Sequence, residues 1–166
     1  LNMLANLMQR RISDNRENLS IAYEIHGQEE GDMTNDLASW YNKELVSHRE
    51  VDILRGSTTR GPHHDDIVLM VNGINLRNFG SQGQQRTGVL SLKLSELEFL
   101  RSETGEYPIL LLDDVMSELD ASRRQQLMAY IRRERIQTMI TATDAAYFPQ
   151  ERIGTYFYVK AGRITR

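Results

Sequence analysis

The chain has 166 residues, 40% hydrophobic and 26% charged, which supplies apolar mass for a core in one or two domains. Its net charge of −3 does not advertise a nucleic-acid binder. No apolar run approaches the ~18 residues of a membrane helix, and the opening residues do not read as the n-region and h-region of a secretory leader. With no Cys at all, disulfides and thiolate metal sites are excluded and a reducing cytoplasm is the natural setting. The charge is uneven: residues 1–119 carry 11 basic against 19 acidic side chains, and residues 120–166 carry 9 against 4. That basic end is either a solvated face or a phosphate-facing surface.

Residues 1–12 read as the end of a helix, with Leu4, Leu7 and Met8 in an apolar pattern and no cap ahead of Leu1. This start suggests a piece of a longer chain. Asp14-Asn15 breaks the helix, and the alternation Leu19, Ile21, Tyr23, Ile25 predicts a strand. After an acidic loop at 27–32, Thr34 or Asn35 caps a helix whose apolar stripe runs Leu37, Trp40, Tyr41, Leu45, His48, with Trp40 facing the core. Arg60-Gly61-Pro62-His63-His64-Asp65-Asp66 follows. Two His beside two Asp invite a metal reading. Neighbours in an extended segment point to opposite sides, however, so a turn into a hairpin is the simpler expectation. The hairpin comprises 67–71 and 74–76, joined by Asn72-Gly73, whose residue types supply the positive φ angles of a type I′ turn.

The stretch Phe79-Gly80-Ser81-Gln82-Gly83-Gln84-Gln85-Arg86 opens a long helix expected to reach about residue 103. Leu90, Leu94 and Leu97 line it, Leu92 and Phe99 widen the line, and Gly105 and Pro108 end it. Backbone amides at such a helix start suit an anionic phosphate. Ile109-Leu110-Leu111-Leu112 is apolar on both faces, as in a covered parallel sheet, and ends in Asp113-Asp114. Two carboxylates there suit Mg²⁺ and an attacking water. Asp120 then caps a helix with Leu127, Met128 and Ile131 inward. A buried-type strand at 136–141 ends in Thr141-Ala142-Thr143-Asp144, in the loop where parallel sheets present ligand contacts. Residues 155–159 and 163–164, split by Ala161-Gly162, form a closing hairpin.

These motifs carry a resemblance. Ser81-Gln82-Gly83-Gln84-Gln85-Arg86 resembles the signature motif of ABC-type ATPases, residues 109–114 resemble their Walker B strand, and Ser117-Glu118-Leu119-Asp120 resembles their D-loop. More closely, 60–66, the Asn72-Gly73 hairpin, 79–87 and 105–120 together resemble the C-terminal part of the RecF family of bacterial recombination and repair proteins. The likeness is detailed over 55–120 and looser to 166.

The resemblance implies an α/β fold: the signature, Walker B and D-loop half of an ABC-type ATPase head, with a mixed sheet and covering helices. Residues 57–166 would form this part of the head and residues 1–56 the end of a helical arm with one strand. It implies an ATP-dependent homodimer that binds single- and double-stranded DNA and works with RecO and RecR to place RecA. ATP would be sandwiched between two heads, with Ser81, Gln82, Gly83 and Gln84 meeting it in trans. Asp113 would hold Mg²⁺ through water, Asp114 would be the catalytic carboxylate, and Asp120 would lie at the dimer seam. Most such heads have Glu at the position of Asp114 and many have His near Thr143, so slow, switch-like hydrolysis is expected. His64 stands where the family pattern has Arg. The basic cluster Arg123, Arg124, Arg132, Arg133, Arg135 is the candidate for DNA phosphate contacts. No Gly-x-x-x-x-Gly-Lys-Ser/Thr run occurs. The phosphate-cradling half is therefore expected upstream, and little or no ATP binding is expected of these residues alone. A transporter-type ATPase subunit and a non-hydrolysing structural piece are the alternatives.

Overall fold

The computed structural model describes residues 1–28, 36–149 and 154–165. Its first helix, α1 (Asn2–Ile12), ends where Asp14 and Asn15 turn the backbone left-handed, at φ 55° and 59°. Strand β1 (Leu19–Glu24) follows and pairs antiparallel with β2 (Asp66–Val71), from Leu19 opposite Val71 to Glu24 opposite Asp66. Asn72 and Gly73, both at positive φ, return the chain as the short strand β3 (Ile74–Asn75). The expected hairpin is therefore present.

Two cores share α1. Ala5 packs with Leu19, Val71 and Leu76 against the three-stranded sheet. Met8 and Ile12, one and two turns on, enter a larger core with Leu90, Leu94, Leu97, Leu110, Leu112 and Leu127. That core lies between α4 (Gln82–Thr104), β4 (Leu110–Leu112) and α6 (Ala121–Glu134). Short helices α3 (Leu76–Phe79) and α5 (Val115–Glu118) precede α4 and α6. Strand β5 (Thr138–Ile140) runs parallel to β4, and β6 (Tyr158–Lys160) with β7 (Arg163–Thr165) makes an exposed hairpin. The architecture is mixed α/β, with helices against small sheets, and among the described residues no helix is long and apolar enough to cross a membrane.

Three expectations need correction. First, the stripe on α2 (Leu37–Arg55) does not reach a core: no residue of this helix is buried, and Trp40 is only half-buried, edge-on to Tyr41. Periodicity gives a helix a face, but the face is buried only where another element covers it. Polar contacts hold α2 instead. Tyr41 and Tyr23 both donate to the Asp65 carboxylate, Arg60 pairs with Glu44 at 3.4 Å, and the Thr59 amide donates to Asp52 at 2.9 Å. Second, Thr34 and Asn35, the expected caps, lie outside the described residues, as does part of the acidic loop at 27–32. The observed cap is Asp36, which accepts from the Ser39 amide at 3.1 Å. Third, β4 is covered on one face only. Alternate residues face opposite ways, so Leu110 and Leu112 enter the core while Leu111 is 70% exposed. Phe99, expected to widen the α4 stripe, is also exposed.

Candidate functional site

The turn before α4 is fixed by a reciprocal cap. The Ser81 hydroxyl oxygen accepts from the Gln84 amide at 3.2 Å, and the Gln84 side-chain oxygen accepts from the Ser81 amide at 3.1 Å. Gln85 donates to the Leu76 carbonyl at 2.8 Å and so pins the turn to α3. Ser81 and Gln82 are exposed, and the first-turn amides of Gln82 and Gly83 lack intrahelical acceptors by position. Two glycines in this turn serve different ends. A Cβ on Gly80 would strike the Leu76 carbonyl oxygen at 2.6 Å, so the local fold demands glycine there. A Cβ on Gly83 would meet only Arg123 Nη1, at 3.4 Å, and Gly83 is not left-handed. Nothing among the described residues requires glycine at 83. Its bareness leaves room for close approach from outside, at the positive end of a 23-residue helix.

Asp113 and Asp114 emerge from the C-terminal end of β4. The parallel register sets Leu112 beside Ile140, which carries Thr141 alongside Asp113. The Thr141 hydroxyl donates to the Asp113 carboxylate and accepts from the Asp114 amide at 3.0 Å, while its own amide donates to the Leu112 carbonyl at 2.9 Å. Asp114 is left-handed at φ 51° and starts α5 without capping it. Its exposed carboxylate makes no hydrogen bond among the described residues. One Asp113 oxygen and both Asp114 oxygens therefore remain for a ligand. These hard donors fit Mg²⁺, which typically takes one or two protein carboxylates together with substrate phosphates and water. Among the described residues no group of three or more His, Asp or Glu could hold a metal. His63 and His64 instead pack together, with ring centroids 4.3 Å apart, and a ring nitrogen of His64 lies 2.8 Å from the Thr58 carbonyl.

Asp120 caps α6 by accepting from the Arg123 amide at 2.8 Å. The five-arginine cluster divides. Arg123 is nearly buried, donating to the Gly83 carbonyl at 3.2 Å and to Glu17 at 2.9 Å. Arg124 donates to the Met116 and Leu119 carbonyls and lies over the Tyr147 ring. These two hold the protein together and are not free for DNA, because α6 turns them toward carbonyls of neighbouring elements. Arg132, Arg133 and Arg135 are exposed near the end of α6, with Arg133 paired to Glu134 at 2.7 Å. Thr143, expected at the switch position, is exposed, and no hydrogen bond among the described residues joins its side chain to Asp113 or Asp114. That contact belongs to Thr141.

Arg123 thus ties the turn at 81–84 to α6 through the Gly83 carbonyl, and Arg86, further along α4, pairs with Glu118 of α5 at 3.0 Å. No hydrogen bond or ion pair among the described residues joins the turn directly to Asp113 or Asp114. The Thr141–Asp113 and Glu17–Arg123 links are contacts of the candidate site that sequence reasoning did not find. The pairing of two parallel strands pointed to the first, and nothing local pointed to the second.

No protein-family model matches the chain. Curated relatives do: DNA replication and repair protein RecF of Halothermothrix orenii is 47% identical over 172 aligned residues, covering 100% of this chain and 45% of the relative. The RecF proteins of Alkaliphilus oremlandii and Enterococcus faecalis are 45% and 41% identical with similar coverage. The chain spans under half the length of the curated relatives it matches. A solved structure of the recombination mediator protein RecF-ATP in the RecFOR pathway superposes with a TM-score of 0.71 at 32% identity, covering 99% of this chain and 42% of that one. The RecF-ATPrS structure gives 0.68 at 34%. An SMC ATPase structure, at 10% identity and a TM-score of 0.54, shares the fold. The chain's fold is accordingly part of an ABC/SMC-type ATPase head.

Proposed function

We propose that this chain, which belongs to the RecF family, supplies the signature and Walker B half of an ATP-operated DNA clamp in recombinational repair. In this reading Ser81, Gln82, Gly83 and Gln84 of one head meet the γ-phosphate of ATP held by a second head. Asp120 lies at the seam between the heads. The observation that carries the proposal is the Gly83 position: an exposed helix start with a glycine that none of the described residues demands. That arrangement suits an anion delivered from another molecule.

Asp113, oriented by the Thr141 hydroxyl, would hold Mg²⁺ through water together with the nucleotide phosphates. When bound, the ion neutralises charge on the transferring phosphoryl group. Asp114, whose carboxylate makes no hydrogen bond among the described residues and whose backbone is fixed by Thr141, orients or deprotonates the attacking water. Hydrolysis is slow, because the Asp carboxylate is one methylene shorter than Glu. Nucleotide state sets dimerisation and the dimer grips single- or double-stranded DNA, aided by RecO and RecR in placing RecA. Arg132, Arg133 and Arg135 are the candidates for phosphate contact that remain exposed. In domain terms, the segment from residue 57 onward is the head part and α2 the returning arm, with α1 and β1 docked onto the head core.

The test is Ser81→Arg in a full-length RecF carrying these residues. Nucleotide binding to the single head should persist while ATP-dependent dimerisation, followed by sedimentation, is lost. A Ser81→Arg protein that dimerises on ATP like the wild type would remove the signature role.

A further inference from the structure

We infer that Arg123 is a positioning residue that locks the signature turn to the D-loop and to the loop between α1 and β1. Dimer formation on nucleotide then depends on a residue that touches no nucleotide itself. The inference rests on the proposed role of residues 81–84 and deepens it.

Among the described residues the guanidinium donates hydrogen bonds to two other elements, and its Nε, which has no hydrogen-bond partner, faces the N-cap of its own helix. Nη1 donates to the Gly83 carbonyl at 3.2 Å, Nη2 donates to Glu17 at 2.9 Å, and Nε lies 3.6 Å from the Asp120 carboxylate. Its side chain is 13% exposed and that of Glu17 is 11% exposed. In such a site each charge depends on the other for compensation. Glu17 is itself fixed: its second oxygen accepts from Gln9 Nε2 at 2.7 Å, and its amide donates to the Ser13 hydroxyl at 3.1 Å. The anchor therefore reaches back into α1.

At the other end, the Gly83 carbonyl belongs to the same peptide unit as the Gln84 amide, the donor of the Ser81 cap. The same carbonyl also accepts from the Thr87 hydroxyl at 2.6 Å. Arg123 thus sets the orientation of the peptide plane on which the cap depends. It also fixes the spacing of the cap from Asp120, whose helix start Arg123 shares through its own amide. Lys does not reproduce this fork, because its ammonium is a compact point charge and does not present two planar N–H groups to acceptors on two separate elements.

The experiment uses full-length RecF with Arg123→Gln, Arg123→Lys, Glu17→Gln and the double variant Arg123→Gln/Glu17→Gln, with Ser81→Arg as control. Three quantities are read: ATP affinity of the single head, ATP-dependent dimerisation by sedimentation, and melting temperature without nucleotide. Arg123→Gln should leave ATP affinity within about 2-fold and weaken dimerisation by about 10-fold or more, the scale of an ordinary coupling between sites. Arg123→Lys should not restore it. Glu17→Gln should weaken dimerisation less, and the double variant no more than Arg123→Gln alone, since the two act as a unit. Should Arg123→Gln not fold, Glu17→Gln carries the decision. Wild-type dimerisation in the folded variants, with Ser81→Arg defective, overturns the inference and leaves the signature role standing. Wild-type dimerisation in Ser81→Arg overturns both.

Discussion

Substitution of Gly83 by Ala separates what the fold requires from what function requires. Gly83 is the second residue of α4, and its backbone is not left-handed. Among the described residues an added Cβ would meet Arg123 Nη1 alone, at 3.4 Å. The folded state therefore accepts the methyl without displacement. Ala exceeds Gly in helix propensity by at most about 1 kcal/mol, and less in a first turn. For a domain of this size that corresponds to a rise of up to about 2–4 °C in melting temperature. At the proposed interface the same methyl occupies the space through which phosphate must come close to the backbone. Gly83→Ala in full-length RecF should thus melt at or slightly above the wild-type temperature without nucleotide, yet dimerise on ATP at least about 10-fold more weakly. Calorimetry and sedimentation on one preparation supply both numbers. Wild-type dimerisation on ATP would refute the close approach. A melting temperature several degrees lower would refute the room inferred around Gly83.

Asp114→Asn should keep stability, because Asn tolerates the left-handed backbone at φ 51°, and should lower single-turnover ATP hydrolysis by about 10²–10⁴-fold. Asp114→Ala should lose the same activity and about 1 kcal/mol of stability besides; an Asp114→Asn protein with wild-type turnover would sink the catalytic assignment. Reversing the charge of Arg132, Arg133 and Arg135 together should weaken DNA binding and flatten its logarithmic salt slope by about 0.9 for each phosphate no longer neutralised, and an unchanged slope removes these arginines from the DNA-binding face. Burial alone would raise the Asp65 carboxyl, but hydrogen bonds from Tyr23 and Tyr41, and then from the His26 amide, hold it below the ordinary range. Since the folded value lies below the unfolded one, its contribution is complete above about pH 3.9 and is lost as pH falls through the folded value. Hydrogen exchange resolved to α2, corrected for intrinsic rates, should show that helix loosening over that acidic window ahead of α4. Simultaneous loosening of the two helices would mean that Asp65 does not dock α2.

The signature turn, the strand ending in Asp113-Asp114 and the Asp120 cap were legible in the sequence because each is a local device. A helix cap needs residues three apart, an Asn-Gly turn needs two neighbours, and a short apolar run marks a strand by composition without telling which of its faces is covered. The assembly of the site was not local. Thr141 meets Asp113 because two parallel strands take one register, at a sequence separation of 28, and Arg123 meets Glu17 at a separation of 106. Helical spacing likewise showed that α2 has an apolar stripe, while only the packing showed that none of its residues is buried. The same limit explains the arginines on α6. Sequence marks them all as cations, and the tertiary structure decides that Arg123 and Arg124 are bound to carbonyls while Arg132, Arg133 and Arg135 stay exposed. Backbone propensity and side-chain periodicity act over a few residues. Which charge finds which partner depends on where distant elements come to rest.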